Sequence, residues 1–184
     1  MITSRQELQN IINADYNRNG KPSFFRWISM NDNYLPTLLL KHLRHTEYWQ
    51  NNRKKLFGLG NIPYIWHMWN LRRLRIKTNI MIFPNTLGAG IQLMHPGFRR
   101  IDTMVKIGTN CTILPMVLFG NKRPDIINNT ITVGDNCYIS TGATILGPVK
   151  IGNNVTIGAG AVVVKDIPDN CIVGGVPAKV LYFK

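Results

Sequence analysis

One histidine, His95, stands in the repetitive C-terminal part of this 184-residue chain, within Ile91-Gln92-Leu93-Met94-His95-Pro96-Gly97. Imidazole titrates near neutrality, so a well-placed histidine can take the proton from a hydroxyl as that oxygen attacks an acyl group. Cys111, Cys137 and Cys171 are the other candidates for chemistry, but they are odd in number and so widely spaced that they fit neither a CxxC metal site nor a disulfide framework. They read as reduced core thiols, lacking the activating neighbour a nucleophile needs. His42, His45 and His67 lie outside the repeats and match no zinc-ligand spacing, so no metal is expected.

The elements that hold His95 belong to a chain of two parts. The length suits one main fold, and a hydrophobic content of 45% without a run of roughly 20 apolar residues excludes both disorder and a membrane span. The start, MITSRQELQN, has no apolar core, so no secretory signal is read and the cytoplasm is the expected compartment. Residues 1–78 read as a helical, basic region, with helices from Tyr34 through Trp49 and from Ile62 through Ile76, each with a proline suited to its first turn. The formal charge is +13, and most of the excess lies here: 13 Lys/Arg against 4 Asp/Glu before Asn79, 9 against 5 after it. Such a balance points to phosphate-bearing partners or anionic surfaces.

From Asn79 to Lys184 the dominant signal is a period of six. Ile101, Ile107, Ile113 and Phe119 follow at that step, and after an insertion Val133, Ile139, Ile145, Ile151, Ile157 and Val163 resume it. The fifth residue of each later hexad (Cys137, Ala143, Val149, Val155, Ala161, Ile167) is small or β-branched. A helix of about 3.6 residues per turn would scatter this set around its circumference, and a single flat strand would need alternation by two. A solenoid satisfies it: each hexad is one flat face with its large aliphatic residue inward, and three such faces close one coil. Cys111, Cys137 and Cys171 then fall at small corner positions. His95 falls six residues before Ile101, in the register where an aliphatic residue is expected.

These repeats resemble the left-handed parallel β-helix of the hexapeptide-repeat acyltransferases, and the handedness is taken from that resemblance. Residues 79–184 are similar to its serine acetyltransferase and polysaccharide O-acetyltransferase branch: His95 lies four hexads before Phe119-Gly120, a loop follows, and the repeats resume at Val133. The closing stretches from Ile157 to Pro168 and Gly174-Gly175-Val176-Pro177-Ala178-Lys179 also fit. The resemblance implies a mainly β fold with a short helical N-terminal region, an acetyl-CoA co-substrate, a homotrimer, and active sites in grooves between subunits. Carried over by residue, His95 is the general base. Thr141, Gly142, Ala159, Val164, Lys165 and Lys179 meet the coenzyme, with the lysines toward its phosphates, and Gly120 and Asn121 flank the thioester. A backbone amide near Gly120 or Gly142 would steady the tetrahedral oxyanion.

Departures from the serine acetyltransferase pattern shape the expected acceptor. Met94 replaces an acid before the histidine, Asn129 and Thr130 replace an Arg-His pair, and the acid that orients the histidine aligns near Met81. A zwitterion is recognised through charge pairs, so the expectation is a sugar or surface polysaccharide precursor, with serine O-acetylation as the alternative. A non-catalytic β-helix scaffold is a second alternative. A nucleic-acid partner is not expected, since the coils carry no such motif. The segment Trp66 through Lys77 mixes aromatic and cationic residues, and is read either as a helix packing its aromatics on the coils or as a peripheral contact with an anionic membrane. Val180 through Phe183 would cover the last coil or reach a neighbouring subunit.

Overall fold

The structure, a computed structural model, describes residues 1–53, 59–123, 125 and 129–184. Helix α1 (Arg5–Asn19) begins at Ser4, whose hydroxyl accepts the Glu7 amide at 3.0 Å, while the Glu7 carboxylate accepts the Thr3 amide at 2.9 Å. These reciprocal bonds satisfy donors that the first helical turn leaves open. A short α2 (Phe24–Ile28) precedes the long α3 (Tyr34–Asn51) and α4 (Asn61–Thr78), which pack on each other. Leu39, Leu40 and Leu43 of α3 and Leu71 and Leu74 of α4 join the same apolar core as the coils. Trp66 and Trp69 of α4 point the other way, at 55% and 53% exposure, so the aromatics of this helix do not pack on the coils.

Beyond α4 the chain winds through three parallel faces. The first face stacks β1 (Ile80–Ile82), β3 (Arg99–Ile101), β6 (Val117–Asn121), β9 (Thr144–Gly147) and β12 (Val162–Val163). The second stacks β4 (Val105–Ile107), β7 (Ile131–Val133) and β10 (Val149–Ile151), with Leu87 and Ile167 bridging at its two ends. The third stacks β2 (Gln92–Leu93), β5 (Thr112–Ile113), β8 (Tyr138–Ile139), β11 (Thr156–Ile157) and β13 (Cys171–Gly174). Partners such as Ile139 and Ile157, or Ile145 and Val163, stand three hexads apart in the chain, which is one full coil. Every hexad aliphatic named above is buried, as are the small fifth residues and the three cysteines.

The corners follow from backbone sterics. Asn110, Asn136, Asn154 and Asn170 recur at one corner with φ of 54° to 56°, a left-handed conformation that asparagine tolerates better than most residues. Gly134 has neighbouring coil backbone so close that a Cβ would lie 2.7 Å from Gly152.

Parallel coils leave an open edge on each face of the first turn, and side chains of the helices close all three. On the third face, Asp15 accepts the Ile91 amide at 3.0 Å, and Asn19 donates to the Ile91 carbonyl at 2.7 Å and accepts from the Leu93 amide at 3.2 Å. On the second, Arg44 donates to the carbonyls of Leu87, at 2.9 Å, and Gly88, and Glu47 accepts the Asn85 amide at 2.7 Å. On the first, Arg75 donates to the Ile82 carbonyl. Arg44 is itself buried and paired with Asp15 at 2.9 Å and Glu47 at 3.2 Å. At the far end β14 (Lys179–Phe183) adds antiparallel to β13, leaving Leu181, Tyr182 and Phe183 mostly exposed.

One expectation about register is corrected. His95 does not occupy an inward position: Leu93 does, paired with Ile113 and fully buried. The turn from Ile91 to Arg99 takes eight steps along the chain, against six from Cys111 to Val117, Cys137 to Ala143 and Val155 to Ala161. The two extra residues of that turn make the six-step count from His95 to Ile101 a coincidence, and the histidine, two residues past Leu93, lies on the corner.

Candidate active site

His95 lies where the third face turns into the first, with a left-handed backbone (φ 58°) and its side chain 56% exposed. Its Nδ1 is 3.5 Å from a carboxylate oxygen of Asp32, a residue of the α2–α3 connection whose own side chain is 70% exposed. The neighbouring Asn33 accepts the His95 backbone amide at 2.9 Å. With Nδ1 turned to Asp32, Nε2 is the nitrogen left to take a proton. The resemblance points to an orienting acid near Met81, but Met81 lies on β1 at 41% exposure, and the carboxylate beside the imidazole is that of Asp32. Asp32 escapes a reading of the sequence because it belongs to the helical part, far upstream of His95, and reaches it only through the helical packing.

Below the corner lies Arg99, fully buried. Its guanidinium donates to the carbonyls of His95 at 2.9 Å, Gly97 at 3.3 Å and Met94, and to Ile113 and Leu114 of the next coil at 3.1 and 3.0 Å. Burial pulls its pKa down to about 10. Beside His95 opens a cleft of about 400 Å³, lined by Arg26, Trp27, Asp32, Tyr34, Lys77 and Pro96, among others. Two cationic side chains and the Asp32 carboxylate thus border this cleft, the Arg26 guanidinium donating to Asn31 at 2.7 Å.

The remaining expected site residues fall in two columns. Register through Leu93, Ile113, Ile139 and Ile157 stacks His95, Pro115, Thr141 and Ala159 on one corner. Thr141 donates its hydroxyl to Pro115 at 2.9 Å, and the Gly142 amide donates to the same carbonyl at 3.2 Å, so that amide is already engaged. Lys179 pairs with Gly174 near the end of this column. On the opposite edge of the first face, Gly120 and Asn121 pair with Leu146 and Gly147, and Val164 and Lys165 follow β12 in line with them. A strand's width, roughly 10 to 15 Å at about 3.3 Å per residue, separates the two columns, so one chain alone does not bring Gly120 beside His95. Asn129 is buried and donates to the Gly120 carbonyl at 3.3 Å and to Asn121, away from the cleft beside His95.

Residues 130–165 match the family of the bacterial transferase hexapeptide (six repeats). The serine acetyltransferase of Synechococcus elongatus is 36% identical over 109 residues, covering 59% of this chain and 45% of the relative. That of Buchnera aphidicola (subsp. Acyrthosiphon pisum) is 30% identical over 161 residues, 83% of this chain and 56% of the relative. The chain thus spans about half the length of these curated relatives. Among solved structures, soybean serine acetyltransferase apoenzyme superposes with a TM-score of 0.72 at 26% identity over 95% of this chain and 69% of that one; the same enzyme complexed with serine gives 0.71 at 25%. These findings overturn the expectation of a sugar or surface polysaccharide acceptor, since the relatives are serine acetyltransferases. Charged side chains from outside the repeats do stand near this corner: Asp32 beside His95, and Arg26 and Lys77 in the adjacent cleft.

Proposed function

Starting from a chain that belongs to the hexapeptide-repeat transferases, we propose that it transfers an acetyl group from acetyl-CoA to the hydroxyl of L-serine, with His95 as general base. The observation that carries this reading is an exposed imidazole with Asp32 at its Nδ1, Asp32 and Pro96 also lining an adjacent cleft bordered by both signs of charge. Arg26 and Lys77 suit the serine carboxylate, and the second oxygen of Asp32 suits the ammonium group. Nε2 of His95 takes the hydroxyl proton as the serine oxygen bonds to the thioester carbonyl carbon. The tetrahedral intermediate then collapses with cleavage of the C–S bond, and the imidazolium returns its proton to the leaving thiolate. No acyl-enzyme forms, in keeping with three buried thiols.

The coenzyme is assigned to Thr141, Gly142, Ala159 and Lys179 on the His95 column and to Gly120, Asn121, Val164 and Lys165 on the other. Because a face's width separates the columns, the reading includes three copies winding as left-handed prisms, each pair enclosing a crevice where one copy's His95 column meets its neighbour's Gly120 column. Met81, Met116 and Tyr138, exposed on the coils, suit such burial. The division into residues 1–78 and 79–184 belongs to the same reading. Among the described residues no helix is long and apolar enough to cross a membrane. The proposed location is cytoplasmic, and the outward Trp66 and Trp69 beside Arg72 and Arg73 are the surface suited to a peripheral anionic contact.

The test is release of free thiol from acetyl-CoA with L-serine as acceptor. Parent protein is expected to turn over, and His95→Ala to lose turnover while keeping its melting temperature and acetyl-CoA binding. Turnover by His95→Ala close to that of the parent would remove the mechanism.

A further inference from the structure

Arg99 occupies a position that every other coil gives to an apolar residue. Register through the first face aligns it with Ile80, Val117, Ala143 and Ala161, each fully buried. Among the described residues no carboxylate pairs with it; the buried acids Asp15 and Glu47 are bonded to Arg44. A desolvated cation solvated only by carbonyls is a poor way to stabilise a core that valine or alanine fills elsewhere. Stability alone therefore does not account for it.

The carbonyls it reaches show what it does. Three of the five belong to Met94, His95 and Gly97, in the one corner that is two residues longer than those above it. The longer path turns these oxygens inward, and the five N–H groups of a guanidinium fork can collect them together with those of Ile113 and Leu114. We propose that Arg99 is a positioning residue for His95: an internal cation that gathers the carbonyls of the lengthened corner and so holds the imidazole outside the prism against Asp32. This rests on the reading of His95 as the base. The insertion and the arginine act as one device, the extra residues after His95 adding carbonyls to the corner and the guanidinium fixing the backbone that carries the histidine.

The experiment compares the full-length parent with Arg99→Met, Arg99→Lys, and a compensated variant in which Arg99→Val is combined with deletion of Gly97 and Phe98 to restore a corner of the common length. The compensated variant is expected to melt at or above the parent temperature, because an unpaired buried charge has gone. Its kcat is expected to fall about 100-fold, the effect of displacing a catalytic group by roughly an ångström. Its KM for acetyl-CoA should stay within about twofold, since coenzyme binding is untouched. Arg99→Met should lose kcat in the same way, and Arg99→Lys should recover only part of it, because one ammonium cannot span five carbonyls. A second readout needs no turnover: the rate at which diethyl pyrocarbonate modifies His95, followed by peptide mass, should fall several-fold in the compensated variant. Parental kcat in Arg99→Met or in the compensated variant, an unchanged modification rate, or a loss of kcat that only tracks a loss of melting temperature would overturn the proposal. Parent protein that releases no thiol with serine would instead sink the acceptor reading, and the modification rate would still decide the role of Arg99.

Discussion

Replacing Asp32 by asparagine keeps the size of the side chain and removes its charge, which isolates what the carboxylate does for His95. In the proposed transfer the imidazole becomes an imidazolium 3.5 Å from that oxygen. At the dielectric of water, suited to two side chains this exposed, Coulomb attraction at 3.5 Å is worth about 1.2 kcal/mol. At about 1.36 kcal/mol per decade, this corresponds to roughly an eightfold change in rate. Bound substrates displace water and raise the figure, so kcat for Asp32→Asn is expected to fall about tenfold with KM for acetyl-CoA unchanged. The assay is thiol release at saturating serine, run for parent and variant from low salt to about 1 M, where the Debye length shrinks to about 3 Å and the difference between the two proteins should narrow. A variant with parental kcat, or a gap indifferent to salt, would show that Asp32 neither orients nor stabilises the histidine.

Two further outcomes follow from the helical part. His42 and His67 face each other at 3.1 Å between their Nδ1 atoms; burial holds His42 down to about 4 and His67 to about 3, with Lys41 and the other histidines adding to it. Below about pH 6.5 the unfolded chain takes up protons that the folded chain refuses, so the melting temperature should be level above neutrality and fall from pH 6.5 to pH 4, and His67→Phe should flatten that slope. Arg44→Met strands two buried carboxylates, Asp15 and Glu47, and urea unfolding should show a loss of about 3 to 5 kcal/mol, whereas a loss under about 1 kcal/mol would contradict the bonded network.

The coils were legible because their cause is local and repeated: a large aliphatic every sixth residue and a small one at each corner leave little choice of fold. The same regularity misled at one point. Counting by six put His95 in an inward register, and only the bonded partners of Leu93 reveal the two extra residues of that turn. Arg99 could have been found by stepping back one full coil from Val117, which lands on an arginine in an otherwise apolar column. Asp32, Arg26 and Lys77 carried no such mark. They come near the corner only through the packing of α2, α3 and α4, a long-range arrangement that no period in the chain encodes.

A stack of equal coils has no intrinsic length, and the bonded rims of its first turn bear on how this one can change. The side chains of α1, α3 and α4 that bond to the coils reach no further than the second turn, where Arg18 donates to the Asn110 carbonyl and to Thr112, and the antiparallel β14 contacts the last coils. A whole turn of three hexads could thus be gained or lost between them with both terminations intact. A lone hexad could not, because it would rotate everything after it by one face, moving the asparagine column to a different corner and breaking the stacking of each face. Length in this architecture is quantised in threes, and the prism can be made taller without redesigning either of its ends.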